Sequence, residues 1–375
     1  MNNDYIGIII VEIVLKNQNM KKITLLIALI PLFCISQTIN KSMFFDGIDR
    51  EYIVCVPANY DGSKEVPIML NFHGGAGFAS DFMLVNDMRP IADTAGFIAV
   101  YPQGAFDYEG AEDGNAPSTS WLHKAPTSHN DINFIAAIID SLSAEYLIDE
   151  DRVYACGYSE GGIFSYELGC RLNDRIASFV SVSGSMIVDS FREEYYGLGL
   201  CNPIHPTAVM LIPGTQDDSF HSTYDGFQPY YMSVDEITSY WSGYNNTDEN
   251  PMIESVANTN PTDGSTVERK IWSNGENCVS VVELKVNGGG HDWPGVFGNM
   301  DISATNEIWD FVSKYNRQGL IDCETVSLNE TISDSNRKLI KVIDLYGRTV
   351  NLNSYTNQLL FYLYDDGSSQ KKVNF

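Results

Sequence analysis

The sequence is short of positive charge. Lys and Arg number 23 against 49 Asp and Glu in 375 residues, a formal net charge of −26. A chain without a basic face is a poor nucleic-acid binder, and adsorption to anionic membranes is disfavoured for the same reason. No C-x-x-C pair occurs among the seven cysteines, which argues against a zinc ribbon or a dithiol redox motif. There is no H-E-x-x-H and no EF-hand loop, and the six histidines are scattered. No metal site is therefore implied, and no cofactor is expected. Long apolar runs are also lacking: the stretch from Ile23 to Phe33 is too short to span a bilayer. No internal repeat is evident. What is present is 44% hydrophobic and 19% charged, enough for one large core and a small appendage.

Residues 20–36, MKKITLLIALIPLFCIS, have the pattern of a secretory signal peptide. Lys21 and Lys22 form the basic start, and Cys34 and Ser36 put small residues before Gln37. The segment opens on Met20, so residues 1–19 read as an upstream start-site extension. A rival reading joins Ile6–Leu15 to this run as a membrane anchor, but Lys16, Lys21 and Lys22 interrupt it. Bulky Phe33 disfavours a lipoprotein at Cys34. Export makes disulfides permissible. Cys156, inside the apolar run VYACG, reads as a buried thiol. Cys170, Cys201 and Cys278 lie near loops or helix ends and supply one candidate pair, with the pairing left open.

MFFDGIDREYIVCVP reads as a hairpin turning at Asp46-Gly47. Strands and helices then alternate. Strands are expected at 66–72, 96–102, 152–157, 176–184, 207–214 and 279–286. Helices are expected over 132–147, after Gly161, and over 304–315. The alternation predicts an α/β fold, a mostly parallel sheet flanked by helices on both faces, with residues 38–318 as the catalytic domain. Residues 319–335 read as a polar linker, and 336–375 as a small all-β domain with Tyr-Gly and Asp-Gly turns.

Gly157-Tyr158-Ser159-Glu160-Gly161 is a G-x-S-x-G, fed by a strand and left by a helix. That context makes it a nucleophile elbow, which lifts a serine hydroxyl above a sheet. The hydroxyl needs a base, and in this chain order an acid and then a histidine follow the serine. His73, His123 and His129 precede Ser159, and His205 comes too early. His291, after the last strand and Gly288-Gly289-Gly290, is the expected base, while His221 reads as a loop residue. The acid should follow the strand at 207–214, where Asp217 and Asp218 are both available. The oxyanion is expected to meet the backbone N–H of Glu160 and one from His73-Gly74-Gly75-Ala76-Gly77. Gly75 is favoured, with Gly74 and Ala76 close behind, and His73 is expected to be structural.

Several segments occur together in order: His73-Gly74-Gly75, Tyr101-Pro102-Gln103-Gly104, Asp131 through Ile135, Arg152-Val153-Tyr154, the GYSEGG elbow, Gly214-Thr215-Gln216-Asp217 and GGGHDWPG over 288–295. Over roughly 40–318 the chain resembles the polyhydroxybutyrate depolymerase-like and feruloyl or acetylxylan esterases of the family-1 carbohydrate esterase type. The resemblance implies an α/β-hydrolase fold and selects Asp217 as the acid. It also implies an acyl-enzyme acting on feruloyl, acetyl or other short-acyl esters, some attached to polymer. A polyester depolymerase is the alternative within that class. A serine peptidase or a non-catalytic binding module on the same fold are the alternatives outside it. The chain departs from the family after the acid, where Asp218-Ser219-Phe220-His221 replaces a Val-Pro-Tyr-like segment. The tail, with Asp344-Leu345-Tyr346-Gly347-Arg348 and Tyr364-Asp365-Asp366-Gly367, resembles a type IX secretion sorting domain. That would make the secretion machinery a partner and the cell surface or medium the destination. The enzyme is expected to act as a monomer with an open, lidless cleft. Trp121, Tyr158 and Trp293 are the expected substrate-binding aromatics, joined by Tyr224, Tyr230, Tyr231, Tyr240, Trp241 and Tyr244. The plainer alternative makes Ile237, Tyr240, Trp241 and Tyr244 the core face of one helix.

Overall fold

The structure is a computed structural model that describes residues 36–107, 118–121, 130–323, 339–343, 348–350, 358–364 and 369–374. The expected start-site extension, the signal segment up to Ile35, His123, His129, most of the linker and the two tail turns lie outside the described residues. The chain divides into two compact units, Met1–Cys323 and Glu324–Phe375.

Among the described residues the main sheet of the first unit has ten strands: β1 (Gln37–Phe45), β2 (Ile48–Val56), β3 (Val66–Phe72), β4 (Ile98–Pro102), β5 (Ile148–Tyr158), β6 (Ser178–Val182), β7 (Ala208–Ile212), β8 (Met252–Ser255), β9 (Thr266–Trp272) and β10 (Val281–Asn287). They form one sheet in the spatial order β1-β2-β4-β3-β5-β6-β7-β10-β9-β8. The middle of it, β4 through β10, is parallel. The expected hairpin is its first edge, closing at Phe45 opposite Ile48. Asp46 and Gly47 both take positive φ there, as a two-residue hairpin turn of the favoured kind requires. The other edge, β9 and β8, is antiparallel and is missing from the strands expected above. Its residues are mostly exposed or half-buried, so no apolar alternation marks it.

Among the described residues there are seven α-helices: α1 (Ala79–Val85), α2 (Arg89–Ala95), α3 (Asp131–Glu145), α4 (Glu160–Arg171), α5 (Asp189–Tyr196), α6 (Val234–Tyr244) and α7 (Ala304–Val312). The period of two along each strand divides the core between the sheet's faces. Ile68, Leu70 and Phe72 of β3 pack in one layer with Phe134 and Ile138 of α3, Phe164 of α4 and Trp241 of α6. Met69 belongs to the other layer, with Phe82 of α1, Ala92 of α2 and Phe311 of α7. The expected mostly parallel sheet with helices on both faces is what the residues form. Ile237 and Trp241 are buried, with Tyr240 and Tyr244 packed beside them, so that quartet is the core face of α6. It contributes nothing to a substrate platform.

Among the described residues two disulfides form, Cys170–Cys201 and Cys278–Cys323. The first joins two of the three candidate cysteines. The second uses Cys323, from the segment that reads as linker. It holds the chain end after Gly319–Leu320 has paired back on Tyr315–Asn316. The first compact unit ends at Cys323. Cys156 is buried and free, and burial pushes its thiol up. Among the described residues no helix is long and apolar enough to cross a membrane. The second unit holds a three-stranded antiparallel sheet, with Gln358–Tyr364 between Leu339–Ile343 and Ser369–Asn374.

Candidate active site

β5 passes into α4 through one residue. Ser159 sits there with φ 54 and ψ −119, a conformation that side chains rarely adopt. Its N–H donates to Val182 O at 2.9 Å, which ties the turn to the end of β6. The tightness of the turn explains its glycines. A Cβ on Gly157 would lie 2.1 Å from the carbonyl of Gly161, and one on Gly161 would lie 2.2 Å from Phe72 O. Strain of this kind is typically retained where a side chain must be aimed.

Two loops meet above the elbow. One follows β7 and carries Asp217, the other follows β10 and carries His291. Backbone bonds zip them together: Thr215 N–H to Val286 O at 3.0 Å and Gln216 N–H to Gly289 O at 2.8 Å. Asp217 is buried, and its Oδ2 lies 2.8 Å from His291 Nδ1. Its Oδ1 accepts the Ser219 N–H at 3.0 Å. A carboxylate can only accept, so His291 carries its proton on Nδ1 and leaves Nε2 bare. Ser159 Oγ lies 2.9 Å from that Nε2 and donates to it. Asp218 is exposed. Of the two acid candidates, Asp217 is thus the one brought to the histidine.

The loop after β3 lies against Ser159, since a Cβ on Gly74 would touch Ser159 Cβ at 3.3 Å. Ala76 spends its N–H on Thr119 O at 2.9 Å, and Gly77 spends its own on Gly74 O at 3.0 Å. Those bonds remove Ala76 from the oxyanion candidates and leave Gly74 and Gly75 beside Glu160. His73 anchors this loop from below. It is buried, accepts the Gly104 N–H at Nε2 (2.9 Å), and so donates from Nδ1 to Gly74 O at 2.7 Å. Burial pushes its pKa down to about 4, so it stays neutral.

The aromatic platform expected of Trp121 and Trp293 is corrected by their positions. Both are 0% exposed. Trp121 stacks on Phe164 at 4.9 Å and donates its indole N–H to His73 O at 2.8 Å. Its backbone N–H goes to Glu160 Oε1 at 2.9 Å. It braces the loop after β3 from within the core. Trp293 packs edge-on against Phe82 at 5.3 Å. Tyr158 is half-buried and adjoins the site: its hydroxyl donates to His291 O at 2.8 Å, and burial holds the phenol protonated. Its ring lies 5.0 Å from that of His291.

Two neighbours of the Asp217–His291–Ser159 relay are not among the expected site residues. His221, which reads as a loop residue, brings Nε2 to 3.2 Å from Ser159 Oγ. Ser222 Oγ donates to Ser219 O at 3.3 Å and stands 3.1 Å from His291 Nδ1 as a second acceptor. The stretch that departs from the family pattern, 218–221, was the available signal. Its meaning depends on a turn closed by Ser222 N–H to Ser219 O at 2.9 Å, which residue types alone do not specify. Among the described residues no group of His, Cys, Asp or Glu is arranged to hold a metal ion.

The strand order, the parallel centre and the strand–elbow–helix turn define the class: this is an α/β-hydrolase fold. No protein-family model matches the chain. It is 25% identical over 289 residues to a bifunctional acetylxylan esterase/xylanase of Neocallimastix patriciarum, covering 76% of this chain and 36% of that protein. It is 27% identical over 278 residues to feruloyl esterase B of Piromyces equi, covering 71% of this chain and 45% of that protein. The chain spans less than half the length of these two curated relatives. An acetyl xylan esterase structure from Aspergillus awamori superposes with a TM-score of 0.48 at 15% identity, over 73% of this chain and 98% of that one.

Proposed function

We propose that this chain is a serine carboxylic-ester hydrolase that works through an acyl-enzyme on feruloyl, acetyl or other short-acyl esters. The observation that carries the reading is the continuous relay from Asp217 through His291 to Ser159, with 2.8 and 2.9 Å steps on three separate loops. The likeness to proteins named acetylxylan esterase and feruloyl esterase supports the substrate class. In acylation the Ser159 proton passes to His291 Nε2 as Oγ bonds to the ester carbonyl carbon. Asp217 steadies the imidazolium. The carbonyl's electron pair moves onto its oxygen, opposite the N–H groups of Glu160 and the Gly74-Gly75 loop. Collapse expels the alcohol, which takes the proton from His291. Water then repeats the sequence and frees the acid.

Export belongs to the same proposal. Two disulfides suit an oxidising compartment, in keeping with a signal segment at 20–36 and a sorting role for the β-rich tail. The test is hydrolysis of p-nitrophenyl acetate, methyl ferulate and a series of longer p-nitrophenyl esters by the full chain. The expected outcome is turnover of the short and feruloyl esters and its abolition in Ser159→Ala and His291→Ala. Turnover surviving in Ser159→Ala would end the serine reading, and a preference for C12 or longer acyl chains would end the substrate assignment.

A further inference from the structure

Ser159 Oγ stands between two imidazoles, with His291 Nε2 at 2.9 Å and His221 Nε2 at 3.2 Å. A serine hydroxyl has one proton and two lone pairs. The proton goes to His291, because that ring's Nδ1–H is committed to Asp217 and its Nε2 can only accept. Oγ therefore has nothing to donate to His221. The contact at 3.2 Å is a hydrogen bond only if His221 keeps a proton on Nε2 and donates it.

The position of His221 is built. Its carbonyl accepts the Ser185 N–H at 3.1 Å, which fixes the residue to the segment leaving β6. The adjoining turn is held at Asp217 Oδ1 by the Ser219 N–H. The ring is flanked by Phe220 at 4.8 Å and Tyr231 at 6.3 Å. The acid loop therefore serves both sides of the nucleophile, with Asp217 acting through His291 and His221 acting on Oγ directly.

We infer that His221 is a second catalytic histidine, a hydrogen-bond donor to Ser159 Oγ that holds its proton throughout the cycle. This inference rests on the serine-esterase reading above. The consequences come from the geometry of an sp³ oxygen. With the proton aimed at His291 and one lone pair held by His221, a single lone pair is left for the ester carbon. The nucleophile is aimed before substrate arrives, and little rotor freedom remains to be lost.

The donor also acts where charge collects on Oγ. In acylation Oγ surrenders its proton to His291 while its electron pair forms the bond to carbon. In deacylation that C–Oγ bond breaks, the pair returns to Oγ, and His291 hands back a proton. In acylation the charge passes to the carbonyl oxygen, but in deacylation the N–H of His221 faces the oxygen that is gaining negative charge as its bond to carbon breaks. A donor so placed stabilises the transition state more than the ground state. His221 itself is neither consumed nor oxidised, and no proton leaves it.

The experiment compares His221→Gln, which retains an N–H donor, with His221→Phe, which retains the ring volume without one. Both are made in the full chain, with p-nitrophenyl acetate and methyl ferulate as probes and Ser159→Ala alongside. The expected result for His221→Phe is a fall in kcat of about 100-fold with little change in KM, the lower end of what a single transition-state donor provides. His221→Gln should recover most of that loss and keep the acid limb of the pH–rate profile, because the base is His291. Unchanged kcat in His221→Phe would overturn the inference. So would an effect confined to KM, or equal impairment of the two variants at unchanged melting temperature. Loss of the acid limb in His221→Gln would make His221 the base and overturn it as well. If Ser159→Ala is inactive while both His221 variants are fully active, this inference falls and the esterase reading stands. If Ser159→Ala remains active, the esterase reading itself has failed.

Discussion

Asp217 and Asp218 are neighbours of the same type, and burial with hydrogen bonding separates them. Asp217 is enclosed and spends both oxygens, one on His291 Nδ1 and one on the Ser219 N–H. Asp218 is exposed. Asp217→Asn should lower kcat by about 10⁴-fold, because an amide can donate to Nδ1 and so favours the wrong tautomer. Asp218→Asn should stay within about threefold of wild type, as surface substitutions do. The reverse order in a kcat comparison would reassign the acid. His73 makes a different prediction, about stability. Its folded pKa of about 4 lies below the unfolded value of 6.5. Above pH 6.5 both states are neutral and nothing is lost. As pH falls from 6.5 towards 4 the unfolded chain takes up a proton that the folded chain refuses, and stability drops by up to about 3 kcal/mol. Urea midpoints of wild type and His73→Gln measured from about pH 7.5 to about pH 4.5 should therefore converge on acidification. Parallel curves would show that His73 does not titrate in this way.

At the scale of elements, legibility follows burial and local chemistry. β3 is readable to its ends because all seven of its residues are buried and form one apolar run. The hairpin is readable from Asp46-Gly47, and the elbow from its glycines. β8 and β9 leave no pattern because they lie at the exposed edge of the sheet. Trp121 and Trp293 mislead for a related reason: a large aromatic residue beside a catalytic motif has the same letter whether it lines the cleft or props up the loop. Placing His221 requires knowing that a turn after the acid folds back over Ser159, a contact between residues 62 apart. The elbow offers a test of how tightly the elements are fitted. A methyl at Gly161 would meet the backbone oxygen of Phe72 at 2.2 Å, and neither strand nor helix can yield. Gly161→Ala should cost more than about 3 kcal/mol or prevent accumulation of folded protein. Gly199, where a Cβ meets nothing within 4 Å, is the control. Gly199→Ala should leave the melting temperature within about 1 °C of wild type. Equal tolerance of both would mean that the elbow is looser than its geometry.

For the molecule as a whole, the sequence puts the end of the catalytic unit at 318, on the polarity of residues 319–335. The fold puts it at Cys323. Residues 319–323 are held by one covalent bond and a short strand pair, with little apolar surface to signal them. Gly319–Leu320 returns on Tyr315–Asn316, and Cys323 reaches Cys278 across 45 residues. Tyr315 is itself buried, its hydroxyl 2.7 Å from Ser280 Oγ, so the return strand braces the start of β10, whose far end leads to His291. A chain of residues 37–323 should therefore fold by itself and hydrolyse short esters at the rate of the full chain. A chain of residues 37–318 loses the strand pair and leaves Cys278 as a thiol. Closing a loop of this length is worth about 4 kcal/mol, so the shorter chain should unfold at markedly lower urea. Cys278→Ser combined with Cys323→Ser in the 37–323 chain should reproduce most of that loss. If the two truncated chains unfold at the same urea concentration, the unit ends at 318 after all, and the disulfide is an ornament of the linker. If the double serine chain matches its parent while the shorter chain does not, the strand pair rather than the bond closes the unit.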